Sequence, residues 1–252
     1  MNYNSTKYWL SSLGLGPFIC VAVAVLYSPQ RACSQIAFGQ VDTFQSGSTS
    51  GWQQGTSSPN PPTVVTSGGP SGGADAYLKT VSTGVGAGGK MIMFNTAQWL
   101  GDYNAVGVTK ITADMANFGS TPLHMRIAFQ GGPSSSRYAS TNEQLLPANG
   151  VWRPVTFDLI PSELTLISGT DSVAAALRSV SELRILSSTT PLYNGDSVVA
   201  VLGTDNIRAT SVPVPEPSML PIGLLSIAAV TISSGRTRNR IKNIVIARCF
   251  AE

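Results

Sequence analysis

Apolar and polar residues alternate in short runs through the middle of the chain, and turn-forming residues separate the runs. In Leu123–Phe129 (LHMRIAF), Leu123, Met125, Ile127 and Phe129 share one side, against His124, Arg126 and Ala128. A period of two marks a strand with one buried face. Val106–Ala113 (VGVTKITA) divides the same way, with Val106, Val108, Lys110 and Thr112 against Gly107, Thr109, Ile111 and Ala113. Similar runs occupy Ala37–Phe44, Thr63–Thr66, Ala76–Val81, Met91–Phe94, Trp152–Leu159, Glu182–Leu186, Val198–Leu202 and Asp205–Ala209. Only Asp171–Val180 (DSVAAALRSV) reads as a helix, with Asp171 placed as its N-cap. Short strands between Gly- and Pro-bearing turns predict an all-β fold, an antiparallel β-sandwich.

The two ends break this pattern. Lys7 precedes an apolar stretch, Leu13–Leu26, and small residues follow at Ala32 and Ser34. That order predicts a signal peptide over residues 1–34, with an uncleaved N-terminal anchor as the alternative. The residues before Cys33 are Pro-Gln-Arg-Ala, which do not make an apolar lipobox. At the other end, Met219–Ile232 is uncharged and mostly apolar. A comfortable spanning helix takes ~20 residues, so Ser233, Ser234 and Gly235 are needed to complete a short transmembrane helix. Pro221 falls in its first turn, where a missing N–H costs little. Arg236, Arg238, Arg240 and Lys242 follow, and positive residues stay on the cytoplasmic side, so the body lies outside. The predicted organisation is a signal peptide (1–34), a sandwich domain (35–211), a membrane-directed segment (212–242) and a short tail (243–252).

Charge and cysteine content narrow the function of the body. Of the 252 residues, those from Gln35 to Val212 include nine Lys/Arg and eleven Asp/Glu, a net charge of −2. The basic excess of the whole chain belongs to its ends. A nucleic-acid reader carries a basic stripe on its body, so nucleic acid is excluded as a partner. Cys20, Cys33 and Cys249 lie in or beside the terminal segments. The body therefore has no disulfide, zinc–cysteine site or cysteine nucleophile. It is long enough to fold without staples.

Val214, Pro215, Glu216 and Pro217, then the apolar run, then Arg236, Arg238 and Arg240 together resemble the PEP-CTERM sorting signal of bacteria, over roughly residues 212–242. The resemblance implies recognition at the inner membrane by an exosortase, a membrane cysteine protease-transpeptidase. It also implies cleavage near Pro-Glu-Pro and delivery to the cell surface or an exopolysaccharide matrix. The chain departs from the usual signal by continuing as NIVIARCFAE. Within the body, four features recur in order: Gly51-Trp52, the glycine-rich Gly68–Gly73 ahead of Asp75-Ala76-Tyr77-Leu78, Trp99–Tyr103, and Asp205-Asn206-Ile207. This order resembles laminin B-type and carbohydrate-binding-module-like jelly rolls, over most of residues 38–210. It implies a jelly-roll sandwich with a binding or matrix role.

Candidate chemistry is sparse. His124 is the only histidine, with no acidic or cysteine neighbour in sequence. No Gly-x-Ser-x-Gly elbow and no His-Glu-x-x-His occurs. A glycosidase needs two carboxylates on one cleft; Asp102, Asp114 and Asp158 are available, and spacing does not pair them. Asp42 and Asp205 lie in the first and last strands, and the jelly-roll resemblance implies a structural calcium near the chain ends. Calcium takes several oxygens, of which these two can supply some; edge hydrogen bonding is the alternative. Trp52, Trp99, Tyr103, Tyr138 and Trp152 are the aromatic residues able to stack on sugar rings. Trp152 opens a strand and is expected in the core. Trp99 and Tyr103 flank Gly101-Asp102 and are expected to be exposed ligand-binding residues. Gly68–Gly73 lacks the Lys-Ser/Thr ending of a phosphate loop and is expected to be flexible. The sequence as a whole reads as an exported, non-enzymatic surface or matrix protein that associates with polysaccharide. The alternatives are a hydrolase on the same scaffold and an uncleaved, membrane-tethered protein.

Overall fold

The computed structural model describes residues 35–55 and 58–212. The segments expected to be a signal peptide (1–34) and, from 213 on, a sorting signal with a transmembrane helix lie outside the described residues. Among the described residues no helix is long and apolar enough to cross a membrane.

Thirteen strands follow in order: β1 (Val41–Asp42), β2 (Trp52–Gln53), β3 (Thr63–Val65), β4 (Tyr77–Thr83), β5 (Ile92–Asn95), β6 (Lys110–Asn117) and β7 (Leu123–Gly131). Then come β8 (Ser136–Ser140), β9 (Gln144–Leu146), β10 (Arg153–Asp158), β11 (Leu164–Ser168), β12 (Val180–Ser187) and β13 (Val199–Thr210). Among the described residues one α-helix, α1 (Val173–Leu177), precedes β12, and a 3-10 turn (Pro161–Glu163) precedes β11. One sheet has the order β10-β6-β13-β4-β3, with β1 also on β13; the other runs β11-β8-β7-β12-β5-β2, with β9 on β7. Every strand pair is antiparallel.

The alternation places the core. Leu123, Met125, Ile127 and Phe129 of β7 are fully buried, as their period predicts. They share one core with Leu78 of β4, Ile111, Ala113 and Met115 of β6, Phe157 of β10 and Leu202 and Ile207 of β13. Phe129 stacks on Tyr138 of β8, with centroids 5.6 Å apart. Burying each such side chain contributes ~1.5–3 kcal/mol relative to exposure. The two sheets close this core within residues 35–212, so that span carries its own hydrophobic core.

Three local expectations change. Val106 and Val108 do not extend β6, because Gly107 turns the chain at φ +70 and the strand begins at Lys110. Lys110 and Thr112 therefore face outward, and Val108 is buried from the preceding turn. The two runs Val198–Leu202 and Asp205–Ala209 fuse into β13, with an irregularity between Asp205 and Arg208. Asn206 sits there at φ +50. This bulge resets the alternation, so that Leu202 and Thr204 point inward before it and Ile207 and Ala209 after it. Finally, α1 is capped by Ser172, whose Oγ accepts from the Ala175 N–H at 3.2 Å. Asp171 turns away instead and accepts from the Ser134 N–H and Ser136 Oγ.

Candidate functional site

Three aromatic residues meet on the outer face of the β10-β6-β13-β4-β3 sheet. Tyr77 opens β4 with its neighbour Leu78 buried, so its own ring points outward. Phe118 directly follows β6 and Trp152 directly precedes β10. The Tyr77–Trp152, Tyr77–Phe118 and Phe118–Trp152 centroids are 5.2, 5.7 and 5.8 Å apart. Tilted and edge-on contacts at such separations suit the ring quadrupoles. Phe118 remains 40 % exposed, and the other two rings are half-buried.

Gly203 in β13 is the floor of this group. A Cβ there would lie 2.6 Å from Phe118 Cε2 and 2.9 Å from Trp152 Cη2. The rings thus rest on bare backbone, and only glycine allows the approach. Lys79 of β4 is the register partner of Gly203 and lies on the same outer face. Trp152 Nε1 donates to the Gly68 carbonyl oxygen at 3.0 Å.

The glycine-rich loop that supplies Gly68 is closed by its own hydrogen bonds. Gly69 N–H donates to the Asp75 carbonyl at 2.9 Å, and Gly72 N–H to that of Gly69 at 3.0 Å. Ser71 N–H and Gln45 Nε2 hold the two carboxylate oxygens of Asp75. A Cβ on Gly69 would meet Asp75 Oδ2 at 2.7 Å. The expected flexible loop is therefore a fastened one, with glycine where the Asp75 carboxylate leaves no room.

Trp99 and Tyr103 lie elsewhere. Both are fully buried, which corrects the expectation that they form an exposed ligand surface. Their segment folds inward: Tyr103 Oη donates to the Trp99 carbonyl at 3.0 Å, and burial pushes the phenol far above its usual range. Trp99 Nε1 and Trp52 Nε1 both donate to Asp42 Oδ2 at 2.8 Å. Asp42 pairs with Ile207 and shares its inward side. Burial raises its carboxyl above the ordinary value, and the two indole bonds pull it down.

Asp205 leaves the opposite side of the sheet. It pairs with Asp114, which faces outward, while Asn206 Nδ2 donates to Asp114 Oδ2 at 2.9 Å. The structure therefore does not bring Asp42 and Asp205 to one cation. Asp205 has no exposed surface, and neither carboxyl oxygen has a hydrogen-bond partner. Burial pushes this carboxyl up to about 7; the nearby Asn206 backbone N–H, too poorly placed for a hydrogen bond, opposes the rise and the charges of Asp75 and Asp114 add to it. Among the described residues, no group of three or more His, Cys, Asp or Glu side chains is arranged to hold a metal ion.

No family model and no curated protein matches the chain. Among solved structures, an exo-beta-agarase aligns with a TM-score of 0.50 at 10% identity, over 71% of this chain and 26% of its own. The chain thus spans about a quarter of that enzyme's length. The fold is a jelly-roll β-sandwich. A Family 11 carbohydrate-binding module from Clostridium thermocellum, solved with a beta-1,3-1,4-mixed-linked tetrasaccharide, aligns at TM-score 0.43 and 13% identity, over 70% of this chain and 100% of its own. The surface glycan-binding protein PbSGBP-B from Prevotella bryantii aligns at 0.33 and 14%, over 55% and 48%. At these identities the likeness is one of fold.

Asp102 and Asp158, two of the carboxylates considered for a hydrolase, are each engaged by their own neighbours. Asp102 Oδ1 accepts from the Ala105 N–H within a turn. Asp158 pairs with Lys110 at 3.7 Å. Asp205 has the raised pKa of a general acid, but no substrate atom reaches a side chain without exposed surface. His124 does have an acidic partner that the sequence order hid: its Nδ1 lies 2.6 Å from Glu143 Oε1. Glu143 also reaches Arg126, whose guanidinium donates to the Ser140, Thr141 and Ser188 carbonyls and so ties β7 to two other segments.

Tyr77 and Phe118 escaped sequence reasoning, and Trp152 was expected in the core. Two signals pointed to them. Gly203 interrupts a strand pattern, which marks a close approach. In Tyr77–Thr83 the buried positions are Leu78, Thr80 and Ser82, which leaves Tyr77 and Lys79 outside.

Proposed function

We propose that the domain binds polysaccharide through Tyr77, Phe118 and Trp152, as a non-catalytic component of a cell surface or extracellular matrix. The observation that carries this reading is the seating of three partly exposed rings on Gly203. Sugar rings present apolar C–H faces that stack on aromatic side chains, while a few polar groups fix the hydroxyls. Lys79 and the Asn206–Asp114 pair provide such groups at the edge of the cluster. The rings are already packed against backbone, so binding orders little that is free. An exo-beta-agarase shares the fold, and a carbohydrate ligand for this chain agrees with that likeness.

Delivery belongs to the same reading and rests on sequence. The segment with Val214, Pro215, Glu216 and Pro217, followed by the apolar run and by Arg236, Arg238 and Arg240, serves as an exosortase address and a transient inner-membrane anchor. The intact mass of the surface-exposed form tests it: loss of everything after about Pro217 supports sorting, and full retention points to a permanent tether.

Affinity electrophoresis of residues 35–212 in gels containing neutral polysaccharides tests the binding. The wild-type domain is retarded and Trp152→Ala runs free. Equal mobility of the two in every polymer contradicts the reading.

A further inference from the structure

The outer face of the other sheet carries a second arrangement. Tyr193, in the loop between β12 and β13, seats on Ile92, Ala128, Ala139 and Leu186. Two guanidinium groups stand over its ring, Arg184 at 3.8 Å and Arg137 at 4.5 Å. They differ in what they have left to offer. Arg184 is engaged through two of its three nitrogens and paired with a carboxylate: its Nε donates to Glu182 Oε1, and its Nη1 donates to the Tyr193 carbonyl and to Asn194 Oδ1. Arg137 donates through Nε alone, to Gln130 Oε1 at 2.9 Å. Among the described residues no carboxylate pairs with it, and its side chain is exposed.

Arg137 is thus held on two sides. The Tyr193 ring lies against its charge and Gln130 holds its Nε edge. Its two terminal nitrogens make no hydrogen bond among the described residues, and the residue is exposed. They form the fork that takes an oxyanion by two parallel hydrogen bonds. A guanidinium already stacked and tethered loses little freedom when it does so. The pairing of Arg184 with Glu182 leaves Arg137 as the uncompensated positive charge of the pair above the ring.

We propose that Arg137 recognises an oxyanion on the bound polysaccharide, a uronate carboxylate or a sulfate ester. The identity of the polymer rests on the function proposed above; the oxyanion site rests on Arg137, Tyr193 and Gln130 themselves. The two contacts lie on opposite outer faces of the sandwich. One domain therefore touches apolar sugar faces on one side and a charged group on the other.

Titration calorimetry of residues 35–212 tests this with polygalacturonate against its methyl ester, and a sulfated galactan against its desulfated parent. One acidic polymer binds at least tenfold tighter than its neutral counterpart, which identifies carboxylate or sulfate as the source. The preference shrinks as salt rises. Arg137→Gln loses the preference and keeps the neutral affinity and the melting temperature. Arg137→Lys, which restores the charge without the fork, recovers only a minor part of it. An acidic preference that survives Arg137→Gln overturns the proposal, as does wild-type binding of neutral and acidic polymers alike. Normal affinity in Trp152→Ala overturns the aromatic platform instead. Failure of every polymer to bind the wild-type domain overturns both.

Discussion

Trp152 Nε1 donates to the carbonyl oxygen of Gly68, 84 positions away in sequence, at 3.0 Å. This one bond joins the fastened glycine-rich loop to the aromatic cluster on Gly203. It makes the orientation of the indole a property of the loop as well as of its own strand. Trp152→Phe keeps an aromatic face and loses the donor. Calorimetry is expected to show polysaccharide binding weakened severalfold in Trp152→Phe and at least tenfold in Trp152→Ala. Equal losses would mean that the ring face contributes nothing.

Gly203→Ala tests the floor of the cluster. Gly203 does not have a positive φ, so its backbone accepts alanine. The added methyl meets Phe118 and Trp152 well inside contact distance. Overpacking of this kind costs about 1–3 kcal/mol. Chemical denaturation is expected to show that loss, and near-UV circular dichroism a change in aromatic signal, together with weakened binding. A variant with unchanged spectrum and affinity would contradict the seating described.

Asp205 makes stability depend on pH in a particular direction. Its carboxyl titrates at about 7 in the folded chain, against 3.8 as the ordinary value. Below the ordinary value both states hold the proton and no charge is buried, so this group makes no pH-dependent contribution. As pH rises towards 7 the unfolded chain gains its charge first, so stability falls, and it levels off above the folded pKa. The melting temperature is therefore expected to be lower at pH 8 than at pH 5. Asp205→Asn should remove most of that difference and raise the melting temperature at pH 8. A wild-type domain more stable at pH 8 than at pH 5, with Asp205→Asn no better, would contradict the placement of this carboxyl.

Asp42 tests the core. It accepts both Trp52 and Trp99 indole N–H groups, so Asp42→Ala leaves two buried donors without a partner. Each orphaned donor costs about 1–3 kcal/mol. Asp42→Ala is expected to lose roughly 2–6 kcal/mol in urea denaturation on that basis, and Asp42→Asn less, because its carbonyl oxygen still accepts. Equal stability of all three would contradict the arrangement.

Much of the fold was legible because β4 alternates cleanly between buried and outward positions and because Leu123, Met125, Ile127 and Phe129 give β7 an apolar period of two. β8, β9 and β11 were not, since SRYAS, QLL and LTLIS are too short or too even to show a period. The bulge at Asp205–Arg208 hid the unity of β13, because one extra residue inverts the phase of the pattern. The site was less legible still. Trp99 and Tyr103 sit in a loop, and loops usually lie at the surface; this one folds inward because Asp42 and the Trp99 carbonyl satisfy its polar atoms. Phe118 and Trp152 meet only because β6 and β10 are paired strands, a relation that local sequence does not carry.

The most direct measurement is the shift of the indole N–H resonances of residues 35–212 as polysaccharide is added. This span has three tryptophans: Trp52, Trp99 and Trp152. The first two are held by Asp42 in the core and serve as internal controls. The account predicts that the Trp152 resonance moves with saturable dependence on ligand while the other two stay in place. Saturable binding with Trp152 unmoved, or with Trp52 and Trp99 moving in its stead, would contradict it.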